Sequence, residues 1–333
     1  MEFLAEYGLF LAKALTVVVS FALIIGIAVS AGQKDTGEKL KVEYLNKKLS
    51  ALKTHLQESV LDKKQLKQLK KEQKKNKDEE PKRKVYVLDF NGDIKATDSK
   101  QLKEEITALL SLKDHVDEVV VKLESGGGMV HQYGYAASQL DRIKKQGIPL
   151  TVCVDKVAAS GGYMMAVVAD KIIAAPFAVI GSIGVIAQVP NFNRVLKKHD
   201  VDFEVHTAGE YKRTLTMFGE NTDKAREKFK EDLQDVHGLF KHFIDSHRNT
   251  VDLDKVANGD VWYGQDAIKE NLVDDIKTSD EYLLDACNDA DVYLLSSKKK
   301  VGLAQKLGLA ASSGITKGFE NTIEKLSFQK WYM

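Results

Sequence analysis

Cysteine, proline and net charge are all scarce in this 333-residue sequence, and each scarcity excludes a class. Two cysteines, Cys153 and Cys287, cannot build a disulfide framework or a cysteine-based zinc site. Four prolines beside 23 glycines exclude collagen-like and low-complexity architecture. The 48 acidic and 49 basic residues nearly cancel, so a uniformly basic nucleic-acid binder is excluded and no nucleic-acid partner is expected. No H-E-x-x-H pair is present and no phosphate-loop or dinucleotide fingerprint, so neither a metal nor a cofactor is expected. What is present, 44% hydrophobic and 29% charged residues, is an ordinary balance for a chain that buries a core.

The near-zero net charge hides an asymmetry. Residues 63–84 hold eleven Lys/Arg against four acids. Further upstream, Ala14 to Gln33 is twenty residues without a charge. As a helix such a run spans about 30 Å, the hydrocarbon thickness of a bilayer. A cleaved signal peptide would use Val29-Ser30-Ala31, but the run is longer than an ordinary signal core and Glu2 and Glu6 precede it. A retained single-pass anchor over 1–33 is therefore expected, with the bilayer as partner. Lys13 precedes the run whereas Lys34, Lys39, Lys41, Lys47 and Lys48 follow it, a bias that places the bulk of the chain in the cytoplasm.

Residues 40–75 read as helical, with Leu45, Leu49, Leu52, Leu56 and Val60 forming an apolar stripe. That stripe suits packing against a copy of the chain or against its own domain. The Lys-rich stretch up to Lys84, broken at Pro81, reads as a spacer or a surface for anionic headgroups, so 34–83 forms an amphipathic helix and linker.

From Val85 onward, short β runs alternate with amphipathic stretches. Val85–Phe90, Glu118–Leu123, Pro149–Val154, Lys171–Ala174 and Phe203–His206 read as strands. Ser99–Leu112, Tyr135–Lys144, a segment ending at Ala169, and Asp223–His247 read as helices. Alternation of this kind predicts an α/β domain over 84–296 with a mostly parallel sheet, followed by a tail over 297–333.

Two glycine clusters follow predicted strands. Ser125-Gly126-Gly127-Gly128 offers unobstructed backbone N–H groups, as an oxyanion hole requires, or else a flexible tight turn. Ala158-Ala159-Ser160-Gly161-Gly162 places a serine at a strand-to-helix turn between small residues, suited to a nucleophile or to a helix cap. Met164 and Met165 follow it, as apolar lining or as core. A serine needs a base. His237, His242 and His247 are spaced by five on one helix and share no face, so no Ser–His pairing stands out. A lysine can serve where its surroundings favour the neutral amine, but composition alone does not choose one.

The segment Val154–Tyr163, then Ile180-Gly181-Ser182-Ile183-Gly184-Val185, then Gly209-Glu210-Tyr211-Lys212-Arg213, resembles the signal peptide peptidase A family, in its SohB branch of bacterial inner-membrane proteases. The resemblance covers about residues 84–285. It implies a Clp/crotonase-like fold, homo-oligomeric assembly, a domain on the outer, periplasm-like side of the membrane, opposite to the side the lysine bias favours, and a Ser–Lys dyad that hydrolyses apolar or unfolded peptides. Ser160 matches the nucleophile and Lys212, 52 residues later, the general base. Ser182 matches a residue that supports the lysine, and Gly127 and Gly161 match the oxyanion donors. The family's Ser-Pro-Gly-Gly is here Ser125-Gly126-Gly127-Gly128, which loosens that loop. An inactive membrane scaffold and a crotonase-type acyl-CoA enzyme are the alternative functions.

Overall fold

The structure is a computed structural model and describes residues 6–11, 13–17, 20, 39–75 and 83–298. Among them is one ten-stranded sheet. Its main path runs β1 (Lys39–Tyr44), β10 (Ala290–Lys298), β2 (Arg83–Gly92), β3 (Glu118–Ser125), β4 (Leu150–Val154), β6 (Lys171–Ala174) and β9 (Asp275–Ile276). A branch leaves β3 through β5 (Val157–Ala159) and β7 (Val179–Gly181) to β8 (Val261–Tyr263). Every pairing from β10 through β9 and from β3 to β7 is parallel, and β7 with β8 is antiparallel. The α/β class with a mostly parallel sheet is thus observed.

Period-two alternation sends the strand residues to two faces. Leu88, Phe90, Val121, Leu123, Val152 and Ile172 join one core beneath α3 (Ser99–Leu110) and α4 (Val130–Lys144). The stripe Leu102, Ile106 and Leu109 of α3, spaced four and three, is the helical share of that core. Val85, Val87, Val120, Cys153 and Ile173 face the opposite way, against Leu283 and Ala286 of α10 (Ser279–Asp289). A capping box begins α10: the Thr278 hydroxyl accepts the Glu281 N–H while the Glu281 carboxylate accepts the Thr278 N–H. The remaining helices are α1 (Leu45–Val60), α2 (Lys63–Lys75), α5 (Gly161–Ala166), α6 (Asn193–Lys198), α7 (Asp223–His247), α8 (Leu253–Val256) and α9 (Gly264–Ala267).

Several sequence expectations shift. Residues 40–75 are not one helix: Lys39–Tyr44 is a strand, and a break at Leu61 and Asp62 separates α1 from α2. The start of α1 is tied to the domain, because the Asn46 amide donates to the carbonyls of Cys287 and Ala290 and accepts the Val292 N–H. Residues Lys41–Ser296 accordingly form one compact unit. Farther along the stripe, Leu52, Leu56 and Val60 are exposed. Phe203–His206 is not a strand: it pairs with no strand of the sheet, and Phe203 packs instead on Phe218. Among the described residues no helix is long and apolar enough to cross a membrane. Most of the run Ala14–Gln33, where the anchor is expected, and the tail beyond residue 298 lie outside the described residues.

Cys153 lies at 1% exposure in the second core, where burial pushes its thiol up to about 12. Thiolate is the reactive form, so a maleimide at pH 8 is expected to leave Cys153 unmodified in the folded chain. Peptide mapping after labelling, with and without denaturant, checks this; labelling at equal rates in both would show that the core opens readily.

Candidate active site

Three neighbouring strands position the site. In β3, β5 and β7, Ser125 stands opposite Ala158, and Ala159 opposite Gly181. Parallel strands held in that register end together, so Gly126–Gly128, Ser160 and Ser182 leave the sheet at one carboxyl edge. Open α/β sheets carry their ligands at such edges. These residues line a cleft of about 680 Å³. Its other walls are Gly184, Val185 and Ile186 after β7, then Leu233, Gln234 and His237 of α7, then Asn258 and Gly259. Met164 and Met165 are not among them, since both are buried in the core.

Ser160 stands between β5 and α5 with φ 52° and ψ −118°. A side chain in that region costs on the order of 1–3 kcal/mol and persists only where its surroundings hold it. Two backbone bonds do so: the Ser160 N–H donates to the Gly181 carbonyl at 2.7 Å, and the Ser160 carbonyl accepts the Met164 N–H at 2.9 Å. A strained strand-to-helix turn presents a serine hydroxyl outward, as in the nucleophile elbow of the α/β-hydrolases. Among the described residues the Ser160 hydroxyl has no hydrogen-bond partner, nor does that of Ser182. Ser182 also has positive φ, 50°, and is fixed by its N–H donating to the Asp260 carbonyl at 2.7 Å.

Gly127 and Gly161 bring two lengths of bare backbone together beside Ser160. Gly127 has φ 86°, and a Cβ there would stand 2.7 Å from the Gly161 nitrogen and 2.8 Å from the Ser160 Cβ. A Cβ on Gly161 would lie 2.4 Å from the Tyr133 ring. The loop that lacks the family's proline is held by hydrogen bonds instead. Its Gly127 N–H donates to the Ser125 hydroxyl oxygen at 3.1 Å. The Ser125 hydroxyl lies 2.5 Å from the Tyr133 hydroxyl, which donates to the Asp93 carbonyl at 2.7 Å. Burial pushes the Tyr133 phenol above its ordinary pKa, so it keeps the proton that this relay needs.

Lys212 is placed differently. It sits on the exposed turn over 208–213, outside the residues that line the cleft, and its ammonium has no hydrogen-bond partner among the described residues. One chain therefore gathers Ser160, Ser182, Gly127 and Gly161 but leaves Lys212 apart from them. His237, passed over in the sequence, lines the cleft instead. The signal for it was its place in the apolar stripe Leu233, His237, Phe240, Ile244, rather than its spacing from other histidines.

The family model for peptidase family S49 matches residues 142–293, and the S49 N-terminal model matches residues 2–140. The chain belongs to peptidase family S49. It is 45% identical over 329 residues to the "Probable protease SohB" of Haemophilus influenzae, covering 93% of each chain. It is 48% identical over 252 residues to the protein of that name from Buchnera aphidicola subsp. Acyrthosiphon pisum, covering 76% of this chain and 74% of the relative. A "Putative signal peptide peptidase SppA" of Enterococcus faecium is 27% identical over 213 residues, covering 60% and 62%. A solved structure, a "1510-N membrane-bound stomatin-specific protease" with a substrate peptide, aligns at TM-score 0.41 and 15% identity, over 68% of this chain and 99% of that one. This S49 chain is of the SohB type and is a peptidase. The two S49 segments meet inside α4, so the site spans both: Gly127 falls in the first, Ser160 and Ser182 in the second.

Ser125→Ala removes the hydroxyl that joins the loop to Tyr133, leaving a buried phenol short of one partner and the Gly127 N–H without its acceptor. The expected cost is about 1–3 kcal/mol of unfolding free energy. Urea denaturation of parent and variant checks it, and equal midpoints would mean that the relay does not hold the loop.

Proposed function

We propose that this S49 peptidase is a membrane-anchored serine endopeptidase in which Ser160 is the nucleophile and Lys212 the general base. The observation that carries the reading is the strained, outward-facing Ser160 in a cleft beside the bare backbone of Gly127 and Gly161. Its hydroxyl oxygen attacks the scissile carbonyl carbon while the neutral Lys212 amine takes the proton. The oxyanion that forms is met by the Gly161 N–H, and by the Gly127 N–H once that group exchanges its bond to the Ser125 hydroxyl for the oxyanion. The protonated lysine then gives its proton to the leaving amine, and water hydrolyses the acyl-enzyme by the same route. Ser182 orients the lysine amine.

Peptide and protein segments are the substrates, and the apolar walls Val185, Ile186 and Leu233 favour apolar or unfolded ones, such as signal-peptide remnants and misfolded membrane proteins. The uncharged run Ala14–Gln33 is the inner-membrane anchor, a single-pass span, and the lysines that follow it put the domain on the cytoplasmic side. The chain works as a homo-oligomer, and the dyad is completed either by closure of the turn over 208–213 or by the lysine of a neighbouring copy. The fold is read as Clp/crotonase-like.

Ser160→Ala, Lys212→Ala and Lys212→Arg are each expected to lower kcat by about 10³-fold or more, with thermal stability retained, because a guanidinium does not give up its proton. A fluorophosphonate probe should label Ser160 in the parent, and parent activity should rise with pH towards the alkaline side. Turnover by purified Ser160→Ala or Lys212→Ala would sink the dyad. Mixing those two variants tests where the base comes from: recovered activity means a lysine shared between copies, and none means closure within one chain.

A further inference from the structure

We infer that Tyr133 is a positioning residue for the oxyanion hole, one side chain that holds the glycine loop and Gly161 at a fixed separation. The inference rests on the peptidase reading of the Ser160 cleft. Tyr133 is fully buried on α4, behind the cleft rather than on its wall, so it acts on substrate only through its neighbours. Its two ends meet the two halves of the hole. The ring lies against Gly161, where a Cβ would stand 2.4 Å from the Tyr133 Cγ and 2.8 Å from its Cβ and Cδ2. The hydroxyl reaches the other half, donating to the Asp93 carbonyl at 2.7 Å and lying 2.5 Å from the Ser125 hydroxyl.

A phenol has one proton, and here the Asp93 carbonyl takes it. The Ser125 hydroxyl therefore donates to the Tyr133 oxygen, and its own oxygen accepts the Gly127 N–H at 3.1 Å. The other acceptor for the Ser125 proton is the Gly92 carbonyl, farther away at 3.3 Å. Without the phenol oxygen, Ser125 turns towards Gly92 and the root of the loop moves with it. Little space is left around the relay: a Cβ on Gly92 would lie 2.4 Å from the Tyr133 oxygen and 2.5 Å from the Ser125 oxygen. When the Gly127 N–H turns to an oxyanion, Ser125 stays bonded to Tyr133, so the loop moves about a fixed root. An oxyanion hole works through donors already aimed before the charge develops. A buried side chain that fixes both donors thus governs kcat without touching the peptide.

The test compares the full chain with Tyr133→Phe, which keeps the ring on Gly161 and loses the hydroxyl. For a fluorogenic peptide of Ala, Leu and Val, kcat should fall about tenfold while KM stays within about twofold. Affinity for a peptide aldehyde, whose adduct on Ser160 carries an oxyanion, should weaken by a similar factor. In a Ser160→Ala background, where only ground-state binding is read, Tyr133→Phe should leave the peptide Kd unchanged. Gly92→Ala disturbs the same relay from outside and should give the same split between kcat and KM; it carries the test by itself if Tyr133→Phe fails to fold. Ile143→Val, a core substitution on the same helix, guards against a folding artefact: it should lower thermal stability and leave kcat unchanged. Unchanged kcat and aldehyde affinity in Tyr133→Phe would overturn the inference. So would a loss of kcat that Ile143→Val reproduces, since Tyr133 would then be a core residue only. If the parent is labelled by fluorophosphonate and cleaves peptide with no dependence on position 133, this inference alone fails. If the parent is neither labelled nor cleaves peptide, the peptidase reading fails with it.

Discussion

The register shared by β3, β5 and β7 is the constraint on which the site depends. Ser125 opposite Ala158, and Ala159 opposite Gly181, set three strand ends level, and the three loops that follow meet at Ser160. A slip of one residue in any of these pairings would turn every side chain of that strand to the other face. The Ser160 backbone depends on the same register, because its N–H reaches the Gly181 carbonyl, the last residue of β7. Packing behind it resists relaxation of the strained turn. All six residues of α5 are buried, and Tyr163 donates from its hydroxyl to the Leu272 carbonyl at 3.0 Å.

How much of this was legible in the sequence depends on how each element is stabilised. The long strands showed themselves as apolar runs because both of their faces are covered, and α7 showed its limits because Thr222 caps it and its apolar residues keep helical spacing. The three-residue strands β5, β7 and β8 were not legible, since their order comes from neighbours distant in sequence rather than from their own pattern. Phe203-Glu204-Val205-His206 has strand-like alternation and strand propensity, yet it pairs with no strand of the sheet and packs within its own excursion, Phe203 against Phe218. Lys39–Tyr44 alternates too, but the leucine stripe of α1 immediately after it imposed a helical reading on both. Motif position fared better than secondary structure. Small residues around Ser160 reflect backbone crowding, and crowding is a local property that a sequence displays.

Lys212 shows the opposite case. A motif can mark a residue without saying where its loop lies in a single chain. The excursion over 186–222 that carries it packs largely on itself, with the Phe218 ring 6.1 Å from Phe192 and 5.6 Å from Phe203. Ile186, Phe192, Phe203, Tyr211 and Phe218 nonetheless leave much of their surface exposed, as do Leu52, Leu56 and Val60 on α1. Apolar area of this extent on one compact unit suits burial between copies. In the proposed oligomer, the segment that would be covered by a neighbour is the segment that bears Lys212, so where the proposed dyad takes its lysine from that neighbour, assembly and dyad formation become one event. A chain released before assembly would then carry a nucleophile without its base, which limits cleavage of bystander proteins.

The distribution of satisfied and unsatisfied polar groups follows the same division between scaffold and reaction. Behind the cleft, Ser125, Tyr133 and the Asp93 carbonyl form a closed relay, and Asn258 and Asp260 satisfy each other. Within the cleft, the hydroxyls of Ser160 and Ser182 lack protein partners among the described residues. Groups that must bond to a substrate or an incoming base cannot also be saturated by the fold, because the bond given up would subtract from the one gained. Substitutions that satisfy or remove them should stabilise the protein at the expense of function.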